Sequence, residues 1–293
     1  MSETMSPAPD DLAALRREID SIDEQLHGLL MRRGDVVAKI GRRKAVDGEV
    51  TFRPAREAQL LRGLVARHHG ALSNAAIVRI WREIIAASIR IQGNLTVGCC
   101  PIEGHGVALN LAHGHFGLNT DVVRFETASH VISAVHRGEV SVGLVPLPQD
   151  ADVPGWWGDI RDKSELYAVA RLPWFASPAD AAAAGVGALA VARGLPEESG
   201  EDRSMLMFSC SSPVSRARVG EACAAEGLAP VSQAVTSDPH EVDQLLHVVE
   251  VEGFVGAEDA RIRAVAAELD ASNTRLLGAF ARPLAASGAV GAK

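Results

Sequence analysis

The chain has 293 residues, of which 47% are hydrophobic and 23% are charged, as is typical of a globular protein with room for two or three domains. Residues 1–93 contain 15 Lys and Arg against 12 Asp and Glu, a balance of +3, and the remainder contains 14 against 25, a balance of −11. The acidic bulk argues against nucleic acid as the main partner, whereas the basic first part suits an anionic ligand.

The chain carries no pattern that predicts secretion, membrane insertion or metal binding. Its first residues, MSETMSPAPDDL, contain neither a basic stretch nor an apolar run, and no apolar segment approaches the length of a membrane span. The four cysteines form no CxxC pair, so we expect reduced thiols and a cytoplasmic protein without a membrane partner. His113 and His115 have no further ligands at a helpful spacing, and we expect neither a metal nor another cofactor.

Apolar residues recur every three or four positions in three successive segments, which predicts three helices within residues 1–93. The first runs from about residue 11 to 45, roughly 50 Å at the helical rise of 1.5 Å per residue. The second begins at Pro54, a good first helical residue, and the third follows Ser73, a residue type favoured at N-caps. The first helix is long for a domain of this size, which indicates packing against another chain.

Short apolar runs alternate with helical patterns from residue 94 onward. Strands are predicted at LTVGCC (95–100), DVVRFE (121–126) and VSVGLVPLP (140–148), with helices between them, an order typical of a small parallel α/β layer. Residues 176–203 read as a connection with one short strand, and the β-α-β-β-α-β order from Ser204 is ferredoxin-like. The predicted architecture is multi-domain α plus α/β, with an all-α unit at 1–93, an α/β unit at 94–195 and a ferredoxin-like unit at 203–286.

Arg33 occupies a position of the first helix where the apolar series requires a hydrophobic residue. A guanidinium keeps its charge, and a buried charge is costly unless it is paired. Arg33 could extend towards solvent along its apolar stem, or pair with Glu57 across helices. Lys44, three turns away, lies within about 20° of the same face, and Ser88 and Gln92 continue the apolar line of the third helix. Several polar groups directed into one bundle core predict a ligand pocket.

Arg16 lies about 25 Å from Arg33 along the same helix and about 100° around its axis. In one chain it therefore cannot share a small-molecule pocket with Arg33. In an antiparallel pair of two such helices it would reach the pocket of the other chain, so the geometry favours a homodimer with shared sites.

The segments LRREID, LLMRRGDVVAKIGRRK, FRPAREAQLL and ASIRIQ together resemble the all-helical AroQ class of chorismate mutase, over about 80 residues. The polar set of that family is complete here, at Arg16, Arg33, Lys44, Arg56, Glu57, Ser88 and Gln92. Arg53 departs from the pattern, since some relatives carry an acidic residue there, near the substrate hydroxyl. The resemblance implies a chorismate mutase of aromatic amino acid biosynthesis, the route to phenylalanine and tyrosine.

Chorismate is a dianion that rearranges to prephenate without a covalent enzyme intermediate, so catalysis comes from holding the reactive conformer and stabilising charge on the breaking ether oxygen. The resemblance implies that Arg33 and the partner's Arg16 bind carboxylates, and that Lys44 and Gln92 donate to the ether oxygen. It assigns the remaining contacts as follows: the ring hydroxyl to Glu57, and orientation of the substrate to Ser88 and Arg56.

The second half resembles prephenate dehydratase followed by its regulatory ACT domain, through VSVGLVPLP and the residues from DRSMLMFSC to RLLGAFARPL. Only about 100 residues are available for the dehydratase part, where the family has two lobes. The Thr-Arg-Phe triplet of that family is replaced near 186–188, and 215–216 and 236–238 do not carry its phenylalanine-binding signatures. We therefore expect a degenerate, non-catalytic or regulatory region, with an aromatic amino acid as candidate effector.

Two alternatives to a plain mutase stay open. A bifunctional mutase–dehydratase is disfavoured by the missing triplet and the missing lobe. A non-catalytic regulatory protein that binds a pathway metabolite is disfavoured by the complete polar set, because binding alone would not need both donors to the ether oxygen.

Overall fold

The computed structural model describes residues 12–47, 52–102, 106–150, 155–176, 187–211, 213–238, 241 and 243–285. Three helices come first in this part of the chain, and a mixed sheet with flanking helices follows. The predicted class, an all-α part followed by α/β structure, is confirmed. Among the helices in these ranges, none combines the length and the apolar character that crossing a membrane would require.

The first part contains α1 (Leu12–Asp47), α2 (Pro54–Arg67) and α3 (Asn74–Gln92). Pro54 begins α2, and the Ser73 side chain caps α3 by accepting a hydrogen bond from the Ala76 amide at 3.2 Å. All three helices therefore lie where the apolar periodicity predicts them. α1 packs along α3, and α3 in turn packs against α2.

The sheet begins with three parallel strands, β1 (Thr96–Cys99), β2 (Asp121–Arg124) and β3 (Val142–Pro146), in the order β2-β1-β3. They are joined by α4 (Val107–Phe116) and α5 (Ala128–Arg137), as predicted. The chain then forms α6 (Trp156–Ile160), β4 (Leu166–Leu172), β5 (Phe175–Ala176) and β6 (Ala188–Arg193). β6 lies between β3 and β4 and is antiparallel to both.

The remaining elements are β7 (Asp202–Ser211), α7 (Arg216–Ala225), β8 (Pro230–Ser237), β9 (Gln244–Glu252), α8 (Ala260–Leu269), β10 (Asn273–Ala281) and β11 (Leu284–Ala285). Their long strands run in the antiparallel order β10-β7-β9-β8, and β11 pairs with β5. The β-α-β-β-α-β succession with this strand order is the ferredoxin-like arrangement predicted from Ser204 onward.

The two strand groups meet at β4 and β10 and form one nine-stranded sheet, β2-β1-β3-β6-β4-β10-β7-β9-β8. Gly278 of β10 pairs with Ala168 of β4, and a β-carbon at Gly278 would lie 2.0 Å from the Ala168 carbonyl oxygen. Only a glycine permits this approach. The units predicted at 94–195 and 203–286 therefore share a sheet, and the strand that joins them, β4, has no counterpart in the sequence prediction.

The helical part is built onto this sheet rather than separated from it. Arg62 of α2 donates to the carbonyl and the hydroxyl oxygen of Ser199, both at 3.0 Å, and Arg53 forms an ion pair with Glu197 at 2.9 Å. One hydrophobic core contains side chains of α2, α3, α4 and five strands, among them Leu61, Ile85, Val97, Leu144 and Leu172. α2 and α3 are consequently held against the sheet, whereas α1 packs on α3.

Candidate functional site

Arg33 lies between α1 and α3 with its guanidinium against two side chains of α3. Its Nη1 donates to the Ser88 hydroxyl oxygen, and its Cζ lies 5.9 Å from the centroid of the Trp81 ring. Burial lowers the pKa of Arg33 from its ordinary value, although a guanidinium remains protonated. Among the described residues Arg33 has no acidic partner, so its charge is met by a hydroxyl and an aromatic face. This leaves it able to bind an anion.

Ser88 and Gln92 follow one another at helical spacing on the face of α3 that meets α1. The Ser88 hydroxyl donates to the carbonyl oxygen of Ile84 at 2.6 Å, so its lone pairs are left to accept from Arg33. Gln92 donates from Nε2 to the Ser88 carbonyl oxygen at 3.1 Å. The structure thus brings together three of the predicted site residues: Arg33, Ser88 and Gln92.

The space between α1 and α3 next to Arg33, Ser88 and Gln92 is called the groove from here on. Lys44 lies at the same end of the groove as Gln92. A β-carbon on Gly41 would be 2.9 Å from the Gln92 α-carbon, so the two helices are in backbone contact at that level. Lys44 follows three residues later, nearly one turn and roughly 4.5 Å further along α1, and its side chain is half-buried. The contact of Lys44 with a substrate at this place stays a prediction.

Two other predicted residues are not brought to the groove within one chain. Arg16 is exposed near the start of α1, about 25 Å from Arg33 along the axis. Arg56 is exposed in the first turn of α2. Their predicted contacts with substrate stay predictions.

Glu57 is placed differently from the expectation that it would face a substrate hydroxyl. Its carboxylate accepts from Nη1 of Arg82 at 2.8 Å, and both side chains are buried. Burial raises the pKa of Glu57, and the adjacent Arg82 opposes that rise. The structure also does not have the alternative in which Glu57 neutralises Arg33, because the Glu57 carboxylate is paired with Arg82.

The sequence analysis overlooked Arg82 and its neighbours. Arg82 lies 3.4 Å from Nε2 of His115 and 5.5 Å from the Trp174 ring centroid, measured from its Nη1 and Cζ respectively. The signal was available, because Arg82 interrupts an apolar series on α3, from Val78 to Ile85, just as Arg33 interrupts that of α1. Its partners were not, since His115 and Trp174 come from α4 and the segment after β4.

A continuous apolar stripe of α1 is exposed in the single chain. Its large side chains are Leu12, Leu15, Ile19, Ile22, Leu26, Leu29, Leu30, Met31, Val36 and Ile40. These residues include the apolar series from Leu12 to Ile40 that predicted the first helix. Only the part of α1 that meets α3 is covered.

The residues considered for the second half have structural partners. Arg275 donates to the carbonyl oxygen of Arg161 at 3.0 Å and stacks on Tyr167, with its Cζ 5.2 Å from the ring centroid. Asp238 forms a buried ion pair with Arg161 at 3.0 Å. Ser215 caps α7 by accepting from the Arg218 amide. Of the 186–188 segment, 186 lies outside the described residues. Among the described residues no cluster of three or more His, Cys, Asp or Glu could hold a metal ion.

Comparison with known proteins supports the N-terminal assignment. Residues 15–93 match the family described as chorismate mutase type II. The bifunctional chorismate mutase/prephenate dehydratase of Pseudomonas aeruginosa is 31% identical over 151 residues, covering 49% of this chain and 40% of that protein. The protein of the same description from Stutzerimonas stutzeri is 29% identical over 148 residues, with the same coverage. The chain thus spans about two fifths of the length of the curated relatives it matches.

Several solved structures resemble this chain at low similarity. A prephenate dehydratase from Arthrobacter aurescens in complex with L-Phe covers 66% of this chain and 94% of its own, with a TM-score of 0.46 and 14% identity. One from Streptococcus mutans covers 64% of this chain and 100% of its own, with a TM-score of 0.44 and 15% identity. A quorum quenching acylase aligns with a TM-score of 0.46 and 14% identity, over 64% of this chain and 94% of its own.

Proposed function

We propose that this chain, whose residues 15–93 form a chorismate mutase type II domain, catalyses the rearrangement of chorismate to prephenate. The observation that carries the proposal is the Arg33 guanidinium, held by Ser88 and Trp81 between α1 and α3 and without an acidic partner among the described residues. A dianionic substrate supplies the missing negative charge.

The reaction is unimolecular, so the groove has two tasks. Arg33 binds one carboxylate in a charge-assisted contact, and the Ser88 hydroxyl fixes the guanidinium in place. Lys44 and Gln92 donate to the ether oxygen as its bond to carbon breaks and negative charge develops there. Because Gln92 donates to the Ser88 backbone here, its amide must turn towards the substrate on binding.

The proposed enzyme is a homodimer in which each site receives Arg16 from the other chain. The exposed apolar stripe of α1 supports this, since contiguous apolar surface of this extent is found at protein–protein contacts. Antiparallel pairing of two α1 helices covers the stripe. It also brings the partner's Arg16 to the level of Arg33, across the roughly 25 Å that separates the two residues within one chain. Isologous two-fold pairing then gives two equivalent sites.

Glu57 and the second half have supporting roles in the proposal. The ion pair with Arg82 makes Glu57 a link between α2 and α3 rather than a ligand of the ring hydroxyl. The ferredoxin-like part is assigned a regulatory function with an aromatic amino acid as effector, because its sequence resembles an ACT domain and its strand order β10-β7-β9-β8 fits that resemblance.

One experiment separates this proposal from its alternatives: chorismate is supplied to the purified protein and the products are identified. Prephenate alone supports the mutase. Phenylpyruvate above the spontaneous rate from prephenate establishes the bifunctional activity that the curated relatives are named for. Unchanged chorismate with a folded protein contradicts the mutase and leaves a binding protein. The Arg33→Ala variant is the control, and it should lose the activity.

A further inference from the structure

A cavity of about 610 Å³ lies on the other side of α3 from Arg33. Its walls are the first half of α3, the second half of α4 and the segment from Pro173 to Phe175 that precedes and enters β5. Arg79 of α3 is nine residues from Ser88, two and a half turns, and so faces away from the groove. This cavity and the groove between α1 and α3 therefore lie on opposite faces of one helix.

The charges around this cleft do not cancel. Arg79 and Arg82 line it, and Arg90 lies close by, since Arg90 and Glu83 both reach within 3.5 Å of the position that a β-carbon on Gly117 would take. Against these three cations stand the two carboxylates Glu57 and Glu83, a balance of +1. Glu57 is bound to Arg82, and Glu83 accepts from the Leu118 amide at 3.1 Å. Arg79, exposed at the mouth, has no ion pair among the described residues.

Apolar and aromatic side chains form the rest of the wall. Leu111 comes from α4, Leu118 from the turn after it, and Trp174 and Phe175 from the opposite side. Trp174 is buried with one face of its ring against Arg82. A cavity of several hundred Å³ with an apolar wall and a few polar groups is of the kind that binds small molecules.

We propose that the cleft between α3, α4 and the Pro173–Phe175 segment binds a small monocarboxylate with an apolar ring. The carboxylate takes Arg79, whose fork of donors matches two oxygens, and the ring lies against Leu118 and Phe175. The buried Glu57–Arg82 pair forms the floor and keeps its own charge balance. The site is independent of the proposed mutase activity.

Gly114 offers a way to close the cleft without disturbing the fold. It lies in α4 on the cavity wall, and a β-carbon there would meet nothing within 4 Å. A leucine at this position fills the space intended for the ring, and replacing a helical glycine does not weaken the helix. Gly63 of α2 is the matched control, because it is also helical, lines none of the cavities described, and would meet only the end of Arg67.

The test measures binding of 3-phenylpropionate to the full chain by calorimetry, with 3-phenylpropylamine as the charge-reversed probe. Wild type should bind the acid and not the amine. Arg79→Gln should weaken binding about tenfold, as expected for loss of one charge-assisted contact, and Gly114→Leu should abolish it. Arg67→Gln and Gly63→Leu should bind like wild type.

Arg33→Ala separates this site from the mutase groove and should bind the acid unchanged. The proposal is overturned if wild type fails to bind the acid at millimolar concentration, if Gly114→Leu binds it as tightly as Gly63→Leu does, or if Arg33→Ala loses it. The last outcome would mean that the probe occupies the groove between α1 and α3, which would support the mutase site and exclude the cleft.

Discussion

Gly41 of α1 lies directly against Gln92 of α3, so that a β-carbon on Gly41 would be 2.9 Å from the Gln92 α-carbon. The two helices are in backbone contact at the level where Lys44 and Gln92 are proposed to meet the substrate. The groove is as narrow as it is at this level because Gly41 has a hydrogen atom in place of a side chain. Any larger residue must move α1 away from α3.

The Gly41→Ala variant should lose activity more than stability. Overpacking costs roughly 1–3 kcal/mol, and the better helix propensity of alanine offsets about 1 kcal/mol of it. The displaced Lys44 should lower kcat, measured on chorismate, while urea unfolding reports the stability. Gly63→Ala, which has open space, is the control and should be fully active. Equal stability and equal activity of the two variants would mean that the contact is unimportant.

Removing either proposed donor to the ether oxygen should slow turnover strongly. Loss of one such donor typically raises the barrier by about 2.7–4 kcal/mol, or 10²–10³ in kcat. Lys44→Ala and Gln92→Ala are therefore expected to fall in that range in steady-state kinetics. Lys39→Ala, at an exposed position of α1, should behave like wild type. Near-normal turnover in both site variants would contradict the assignment of Lys44 and Gln92 as donors to the ether oxygen.

Mixing two inactive variants should restore activity if the sites are shared. Arg16→Ala and Lys44→Ala dimers are each expected to be nearly inactive. Refolded together at equal amounts, half of the dimers are mixed, and each mixed dimer has one site with both lesions and one with none, giving up to about a quarter of wild-type activity. An inactive mixture in which heterodimers are demonstrated by mass would exclude the shared site.

Breaking the buried Glu57–Arg82 pair should destabilise the chain. Arg82→Met leaves the Glu57 carboxylate buried without its partner, which typically costs about 3–5 kcal/mol. The Glu57→Gln/Arg82→Met double variant should recover part of that loss, because neither charge then remains. Chemical denaturation of the wild type, both single variants and the double variant measures the coupling. Additive effects would show that the two residues act separately.

The free energy of unfolding should decrease on mild acidification, because His115 is buried in its neutral form. Burial, followed by the nearby Arg82 charge, holds the pKa of His115 well below its ordinary value of 6.5. Below that value the unfolded chain binds a proton that the folded chain does not, so stability present at neutral pH is lost as pH falls, by about 1.4 kcal/mol per unit for one group.

Thermal unfolding between pH 7.5 and 5 measures this effect. His115→Asn should reduce the slope without removing it, since burial also lowers the pKa of His247. An unchanged slope in His115→Asn would contradict the assignment.

The helices and the groove residues could be predicted because their causes are local. Apolar periodicity, Pro54 and Ser73 define the three helices. Arg33 can be recognised as a charged residue within an apolar series, without knowing which helix packs against it. Ser88 and Gln92 follow by helical spacing alone. The same reasoning would have identified Arg82, which was overlooked although it interrupts the apolar series of α3 in the same way.

The partners of those charges were decided only by the tertiary structure. Which cation Glu57 neutralises depends on the packing of α2 against α3. The spacing of residues within one helix does not give their distances to residues of another helix. Strand β4 lies within the unit predicted at 94–195 but was not itself predicted, and its pairing with β10 through Gly278 joins the two predicted units into one sheet. Such pairings bring together residues more than a hundred positions apart. Their contact is stabilised by burial in the assembled fold, so it leaves no periodic signal in either segment.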